Sequence, residues 1–327
     1  MTADPKPTAG RRDWWYLVHV GANMWGTNPE RPVDRRTGRP GYAPHLRCDD
    51  GTWRTIVDEA VAAGFTGVVL DLGDAIAYES HPEIAVTGAW STTRLREELA
   101  HLRELGLEPL PKLNFSTSHG AWLGVYSRMV STPVYYEVVG DLIAEVANLF
   151  DTPRFFHLGM DEELITNQAG APLVVLRQGE LWQHDSLHLF DCVRKTGSRP
   201  WVWSDPAWAD PESYYGFMPK DVVQSNWHYG LWFEAEDHGR PRDLKPFERY
   251  LAYLDLDERG YDQVPTTSSW RNAWDNFGAS VRYCEEHLSK PPLAYLHSSW
   301  NLTIPERLHH HVETLRRAKD VIDGVTA

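Results

Sequence analysis

Short apolar runs alternate along the chain with longer segments whose apolar residues recur every three or four positions, the mark of strands followed by amphipathic helices. The short runs predict eight strands, Trp15–Val20, Gly67–Leu72, Glu108–Phe115, Arg154–Leu158, Pro200–Trp203, Val222–Trp227, Gln263–Ser268 and Leu293–Ser298. The periodic segments predict helices over Thr52–Ala63, Thr92–Leu105, Pro133–Phe150, Glu180–Lys195, Pro211–Phe217, Pro246–Asp255, Ala279–Leu288 and Pro305–Asp323. Pro133 suits a first helical turn, and Gly64, Gly106, Gly197 and Gly260 stop helices before the next strand. Eight strand–helix units in succession predict an α/β fold, a single-domain (β/α)8 TIM barrel over residues 14–327 behind a polar tail over residues 1–13. Two doubly wound halves would need a linker, whereas the aperiodic stretch Thr27–Asp50 reads as a long loop after the first strand. That loop and a second one, Asn167–Gln178, leave the C-terminal ends of strands, where barrels of this type keep their active sites.

The most informative stretch is Phe155-Phe156-His157-Leu158-Gly159-Met160-Asp161-Glu162-Glu163, an apolar run that ends in three carboxylates. A fully buried strand has no use for charge among its neighbours, so the acids must emerge at its mouth and line a cleft. Asp161 and Glu162 are adjacent and on a regular strand would face opposite ways. Both reach one pocket only if the backbone turns after the strand, a turn that Gly159 permits. An ionised Asp161 close by would raise the pKa of Glu162, which suits a general acid. Strand period points His157 inward, either to bond a neighbouring strand or to meet substrate, while Glu163 reads as a surface acid. Lys112 and Asn114 alternate inward on the third strand, where a buried lysine needs a partner such as Asp71 or Asp161.

Four later strands finish alike, in Trp203-Ser204-Asp205, Ser225-Asn226-Trp227, Ser268-Ser269-Trp270 and Ser298-Ser299-Trp300. With Trp25, Trp122, Trp208, Trp232 and Trp274 they place nine of the 15 tryptophans on one rim, more than a core of branched aliphatics requires. Indole faces suit the C–H faces of sugar rings, and the indole N–H can donate to a hydroxyl.

Composition narrows the partners. Hydrophobic residues make up 42% and charged residues 24%, the balance of a soluble globular protein. A net charge of −14 argues against nucleic acid and anionic membranes and favours a neutral or cationic ligand. Cys48, Cys192 and Cys284 are far apart and odd in number, so they read as reduced thiols rather than disulfides or a zinc site. The tract His309-His310-His311 lies within the last helix, where consecutive residues face different ways, and reads as surface. No signal peptide and no long apolar run are visible, so the expected location is cytoplasmic.

The motif His157-Leu158-Gly159-Met160-Asp161-Glu162 resembles the His-x-Gly-Gly-Asp-Glu signature of glycoside hydrolase family 20, the β-N-acetylhexosaminidases. That family is a TIM barrel with the signature at the end of strand 4, where the present motif falls. The resemblance implies that Glu162 is the general acid/base and that Asp161 orients and stabilises the substrate's 2-acetamido group, whose carbonyl oxygen attacks the anomeric carbon. It places His119 where the family has a Pro-Gly-His after strand 3, and Asp71-Leu72-Gly73-Asp74 where it has an aspartate pair after strand 2. Trp203, Trp227, Trp270 and Trp300 fall where its aromatic subsite walls lie, and Asp74, Asn114, His119 and His157 join them as expected substrate contacts.

Met160 stands where the signature has its second glycine. Gly21-Ala22-Asn23-Met24-Trp25 lacks the arginine used on the sugar's O3 and O4, Ser269-Trp270-Arg271-Asn272 lacks the acetamido-holding tyrosine and aspartate, and Trp300-Asn301 lacks the usual glutamate. The expected activity is a retaining exo-acting β-glycosidase on a small carbohydrate or glycoconjugate, with no cofactor and no metal. Two rivals are a barrel that binds carbohydrate without cleaving it and a metal-dependent hydrolase using His157, Asp161 and His119 or Asp74. If no acetamido group is required, Asp205 or Asp74 is the first candidate for a nucleophile.

Overall fold

The structure, a computed structural model, describes residues 12–24, 41–168, 174–233 and 248–326. Eight parallel strands form one sheet: β1 (Asp13–His19), β2 (Gly67–Asp71), β3 (Glu108–Lys112), β4 (Phe155–His157), β5 (Arg199–Trp203), β6 (Val223–Ser225), β7 (Thr266–Ser268) and β8 (Ala294–Leu302). Their spatial order is β6-β5-β4-β3-β2-β1-β8-β7. The parallel bridges Gln224↔Gln263 and Trp227↔Thr266 bring β6 against β7 and close the barrel. The eight strands predicted from the sequence are these eight, most of them shorter than predicted because ladder pairing stops where each chain turns into its loop.

Helices follow the strands as the periodicity predicts: α1 (Asp50–Ala62), α2 (Thr92–Glu104), α3 (Pro133–Leu149), α4 (Glu180–Lys195), α5 (Pro211–Phe217), α6 (Leu251–Glu258), α7 (Asn276–His287) and α8 (Pro305–Thr326). Asp49 caps α1 by accepting from the Thr52 amide at 2.8 Å, and Ser91 caps α2 through the Arg94 amide at 3.1 Å. Helix α7 starts earlier than its period predicts because tertiary bonds hold its first residue. Asn276 Oδ1 accepts from the Ser268 amide at 3.0 Å, and its Nδ2 donates to Gly230 O at 2.7 Å. The start of the predicted helix Pro246–Asp255 and most of the 1–13 tail lie outside the described residues. Among the described residues, no helix is long and apolar enough to cross a membrane.

Two apolar layers form the core. One lies between sheet and helices, and the other fills the barrel with Trp15, Leu17, Val69, Leu110, Phe155, Trp201, Trp203 and Leu296 among others. Tryptophan thus serves as barrel filling where branched aliphatics are usual. Gly67 makes room for it, since a Cβ there would sit 2.7 Å from Trp15 Cδ1 and 2.8 Å from Glu108 O. Above this filling, strand register sets His19 beside Asp71, Asp71 beside Lys112, and Lys112 beside His157. A polar layer therefore crosses the C-terminal end of the barrel beneath the loops.

Candidate active site

Strand β4 ends at His157, and the chain then turns sharply through left-handed backbone: φ is +71° at Gly159, +74° at Met160 and +56° at Glu162. That turn brings both Asp161 and Glu162 to one cavity of about 550 Å³. Gly159 is required on two counts, its φ and its surroundings, because a Cβ would lie 2.0 Å from Asn114 Oδ1. Met160 adopts the same left-handed region without glycine's freedom, a strain of about 1–2 kcal/mol. Its side chain is buried away from the cavity, with Sδ 3.2 Å from Arg177 Nη2.

The turn is held from three sides. Asn114 Nδ2 donates to Asp161 Oδ1 at 2.8 Å, while Asn114 Oδ1 accepts from the Met160 amide at 3.3 Å. Ser116 Oγ donates to Asp161 O, and Ser118 Oγ donates to Glu162 O at 2.6 Å. From β5, Asp205 Oδ2 accepts the Glu162 amide at 2.9 Å. Glu163 is not the surface acid its sequence suggests. Its carboxylate is largely buried and pairs with Arg177 Nη2 at 2.7 Å, and Arg177 also reaches Asp185 at 3.1 Å and Phe115 O at 2.7 Å. A buried arginine needs such acids, so Glu163 ties this loop to α4.

His119 joins the two carboxylates. Its Nε2 lies 3.2 Å from Asp161 Oδ2 and 3.3 Å from Glu162 Oε2. Burial alone would lower the imidazole pKa, but the two carboxylates outweigh it and push it up to about 9. His119 is therefore an imidazolium at neutral pH, offsetting the repulsion between the acids. For Asp161, burial works against ionisation, yet His119, Lys112 and Asn114 hold its pKa below the usual carboxylate range. Beneath, Asp71 accepts from Lys112 Nζ at 2.6 Å and lies 3.1 Å from His19 Nδ1. Asp71 too stays ionised, because Lys112 and His19 overcome its burial.

Asn114, His119, Asp161, Glu162, Trp203, Trp227, Trp270 and Trp300 line the cavity. His157 and Asp74 do not. His157 is wedged between Trp201 and Trp203, each ring centre 4.3 Å away, and its Nδ1 accepts from the Gly159 amide at 3.0 Å. Burial and then Lys112 drive its pKa well below 6.5, so it is a neutral structural imidazole shaping the turn. Asp74 is buried and accepts from Asn23 Nδ2 at 2.7 Å, with burial raising its pKa to about 6 against that bond. Nor does Asp205 line the cavity, since it faces the Glu162 amide.

The serine–tryptophan endings have a mechanical basis. Ser268 Oγ accepts from the Trp270 amide at 2.8 Å and Ser298 Oγ from the Trp300 amide at 3.0 Å, so each serine bends the strand end and presents its tryptophan. The wider rim does not hold, because Trp122 and Trp208 are buried and spend their indole N–H groups on Asn114 O and Asn226 Oδ1. Trp274 packs on His310, Trp232 is exposed, and Trp25 lies outside the described residues. His311, expected at the surface, is buried and bonded to the Tyr16 hydroxyl at 2.9 Å.

Sequence reasoning missed Tyr229, Arg249, Arg271, Arg47 and Arg307, which also line the cavity. Tyr229 stacks on Trp227 with ring centres 5.1 Å apart, and Arg249 lies over Trp208 and Trp227 at 4.0 and 4.6 Å. Tyr229 follows Trp227 closely enough that the Ser-Asn-Trp ending could have signalled it, whereas the arginines carry no local pattern. His119, Asp161 and Glu162 are the one possible metal-ligand trio among the described residues, their donor atoms within 4.8 Å of one another. Asp161 and His119 of the metal reading are in this trio, whereas His157 and Asp74, the latter its alternative to His119, are not.

No protein-family model matches the chain, and no curated protein matches it in sequence. Solved structures do match. The exo-β-N-acetylglucosaminidase of Vibrio harveyi, a glycoside hydrolase family 20 enzyme solved with N-acetylglucosamine, aligns with 95% of this chain and 54% of its own at 14% identity and a TM-score of 0.63. The β-N-acetylhexosaminidase of Bacteroides fragilis aligns with 94% of this chain and 65% of its own at 14% identity and a TM-score of 0.64. The Streptomyces plicatus enzyme, solved as a mutant with its product N-acetylglucosamine, aligns with 94% and 63% at 14% identity and a TM-score of 0.61. The chain spans between 54% and 65% of the length of these structures, and across that span it shares its fold with β-N-acetylhexosaminidases of glycoside hydrolase family 20.

Proposed function

We propose that this protein is a retaining, exo-acting β-glycosidase whose substrate supplies its own nucleophile, a 2-acetamido group. The observation that carries this reading is the His119-bridged pair of Asp161 and Glu162 in a cavity walled by Trp203, Trp227, Trp270 and Trp300. In the first step Glu162 gives its proton to the glycosidic oxygen as the acetamido carbonyl oxygen attacks the anomeric carbon and the C–O bond to the leaving group breaks. Asp161, kept ionised and fixed by Asn114 and His119, accepts the acetamido N–H and stabilises the positive charge that spreads onto the ring so formed. In the second step Glu162 takes a proton from water, the water oxygen bonds to the anomeric carbon, and the bond from that carbon to the acetamido oxygen breaks, restoring the acetamido group. Two inversions give net retention.

The test is turnover of 4-nitrophenyl N-acetyl-β-D-glucosaminide beside the matching galactosaminide, glucoside and galactoside. Glu162→Gln should lose about 10²–10⁴-fold in kcat with binding kept, and the sugars without an acetamido group should not react. Unchanged turnover by Glu162→Gln would remove the assignment of the acid. Tight sugar binding with no turnover of any substrate would favour a binding barrel instead.

A further inference from the structure

The cavity is electrically lopsided. Asp161 and Glu162 stand at the end of β4, while Arg271 follows β7, Arg307 lies in the first turn of α8 after β8, and Arg47 sits in the connection from β1 to α1. In the strand order β8 is four strands from β4, so these arginines occupy the wall across the barrel from the acids. The acids do not need them. Asp161 and Glu162 already share His119, Asp71 already has Lys112, and Arg249 sits on the acidic side, where Asp205 and Glu162 support its charge.

Among the described residues, no carboxylate lies within ion-pair distance of Arg47, Arg271 or Arg307, and Glu306 offsets the charge of Arg47 only at longer range. In a chain of net charge −14, three arginines that line one cavity with no carboxylate of the described residues in ion-pair distance are an exception to the overall field. Guanidinium groups are the side chains best shaped to grip the paired oxygens of a sulfate, carboxylate or phosphate. Backbone geometry also aims one of them: Arg271 takes φ +56° directly after Trp270, whose amide is pinned by Ser268.

We propose that the sugar bound here carries an anionic substituent, a sulfate, carboxylate or phosphate, held by Arg47, Arg271 and Arg307 on the wall facing Glu162. The inference rests on the glycosidase reading of the same cavity for the orientation of the sugar. Its glycosidic bond lies at Glu162 and its charged group on the side away from the leaving group.

Binding is measured by tryptophan fluorescence on the Glu162→Gln protein with N-acetylglucosamine, its 6-sulfate, its 6-phosphate and glucuronic acid, at low and at high salt. At least one charged sugar should bind about tenfold or more tightly than N-acetylglucosamine at low salt, and the ratio should shrink as salt rises. The charged sugar preferred identifies the substituent. In the doubly substituted Arg271→Gln, Arg307→Gln protein the ratio should fall to within about twofold, and both positions are exposed, so folding is preserved. Equal affinity for charged and neutral sugars, or a preference that survives the double substitution, would overturn the inference. Turnover of nitrophenyl N-acetylglucosaminide and its 6-sulfate by the unsubstituted protein is scored separately. Tight salt-sensitive binding of the sulfate with no turnover of either supports the arginine wall and sinks the glycosidase reading. Equal turnover and equal binding of both supports the glycosidase and sinks the wall.

Discussion

The Glu162 amide donates to Asp205 Oδ2 at 2.9 Å, so a carboxyl group from the end of β5 holds the backbone of the proposed acid at the end of β4. Asp205 is buried, and burial together with the negative charges of Asp161 and Glu162 raises its pKa well above the usual carboxylate range. It acts on Glu162 from behind the cavity wall as a positioning residue.

An acceptor is what that position needs. Asp205→Asn keeps a carbonyl oxygen there and should hold kcat within about threefold, whereas Asp205→Ala should lower kcat by about 10- to 100-fold with little change in KM. Aryl-glycoside kinetics on both proteins, with circular dichroism melting as a folding control, decides it. Full kcat in the alanine protein would show that the amide needs no such anchor.

The imidazolium of His119 ties stability to pH. Its folded-state pKa of about 9 exceeds the ordinary value of 6.5, so its contribution is complete below about pH 6.5 and is lost as pH rises through about 9. The shift corresponds to about 3 kcal/mol. Urea midpoints of the native protein and of His119→Gln should therefore differ most near pH 6 and converge towards pH 10. A gap that does not change with pH would mean that His119 is neutral in the fold.

At the turn after β4 two neighbouring positions have opposite tolerances. Gly159→Ala would push a Cβ to 2.0 Å from Asn114 Oδ1 in left-handed backbone, and should cost about 3 kcal/mol or more. Met160→Gly relieves about 1–2 kcal/mol of strain but empties a buried site worth about 2–5 kcal/mol. Packing should win, leaving Met160→Gly the less stable protein in urea denaturation. A gain in stability would show that strain dominates at this position.

Arg177 holds two buried acids, Glu163 and Asp185, beneath the same loop. Arg177→Met leaves both uncompensated and should cost about 3–5 kcal/mol, seen as a lower melting temperature. Adding Glu163→Gln to Arg177→Met should recover part of that loss, since one stranded charge is removed. No recovery would place the effect in packing rather than charge.

The barrel was legible because strand and helix periods are written locally. So was the need for a turn at Gly159: adjacent Asp161 and Glu162 can share a cavity only off a regular strand, and the left-handed backbone at residues 159, 160 and 162 meets that need. His157 shows the limit. Strand period correctly points it inward, but inward at that level means between Trp201 and Trp203, below the cavity floor. Glu163 fails for a similar reason. Its partner Arg177 comes from a loop whose return to β4 no local pattern announces.

By itself the sequence determined the order of strands and helices, the end of the barrel where the cavity opens, and the two acids that stand there, since each depends on neighbours a few residues away. Only the tertiary structure decided which tryptophans face the cavity and which pack behind it, that His119 bridges Asp161 and Glu162, and that in a chain of net charge −14 Arg47, Arg271 and Arg307 line the same cavity as those acids. Those outcomes join residues far apart along the chain. Charge and burial at such a place are sums over contacts that exist only once the barrel has closed.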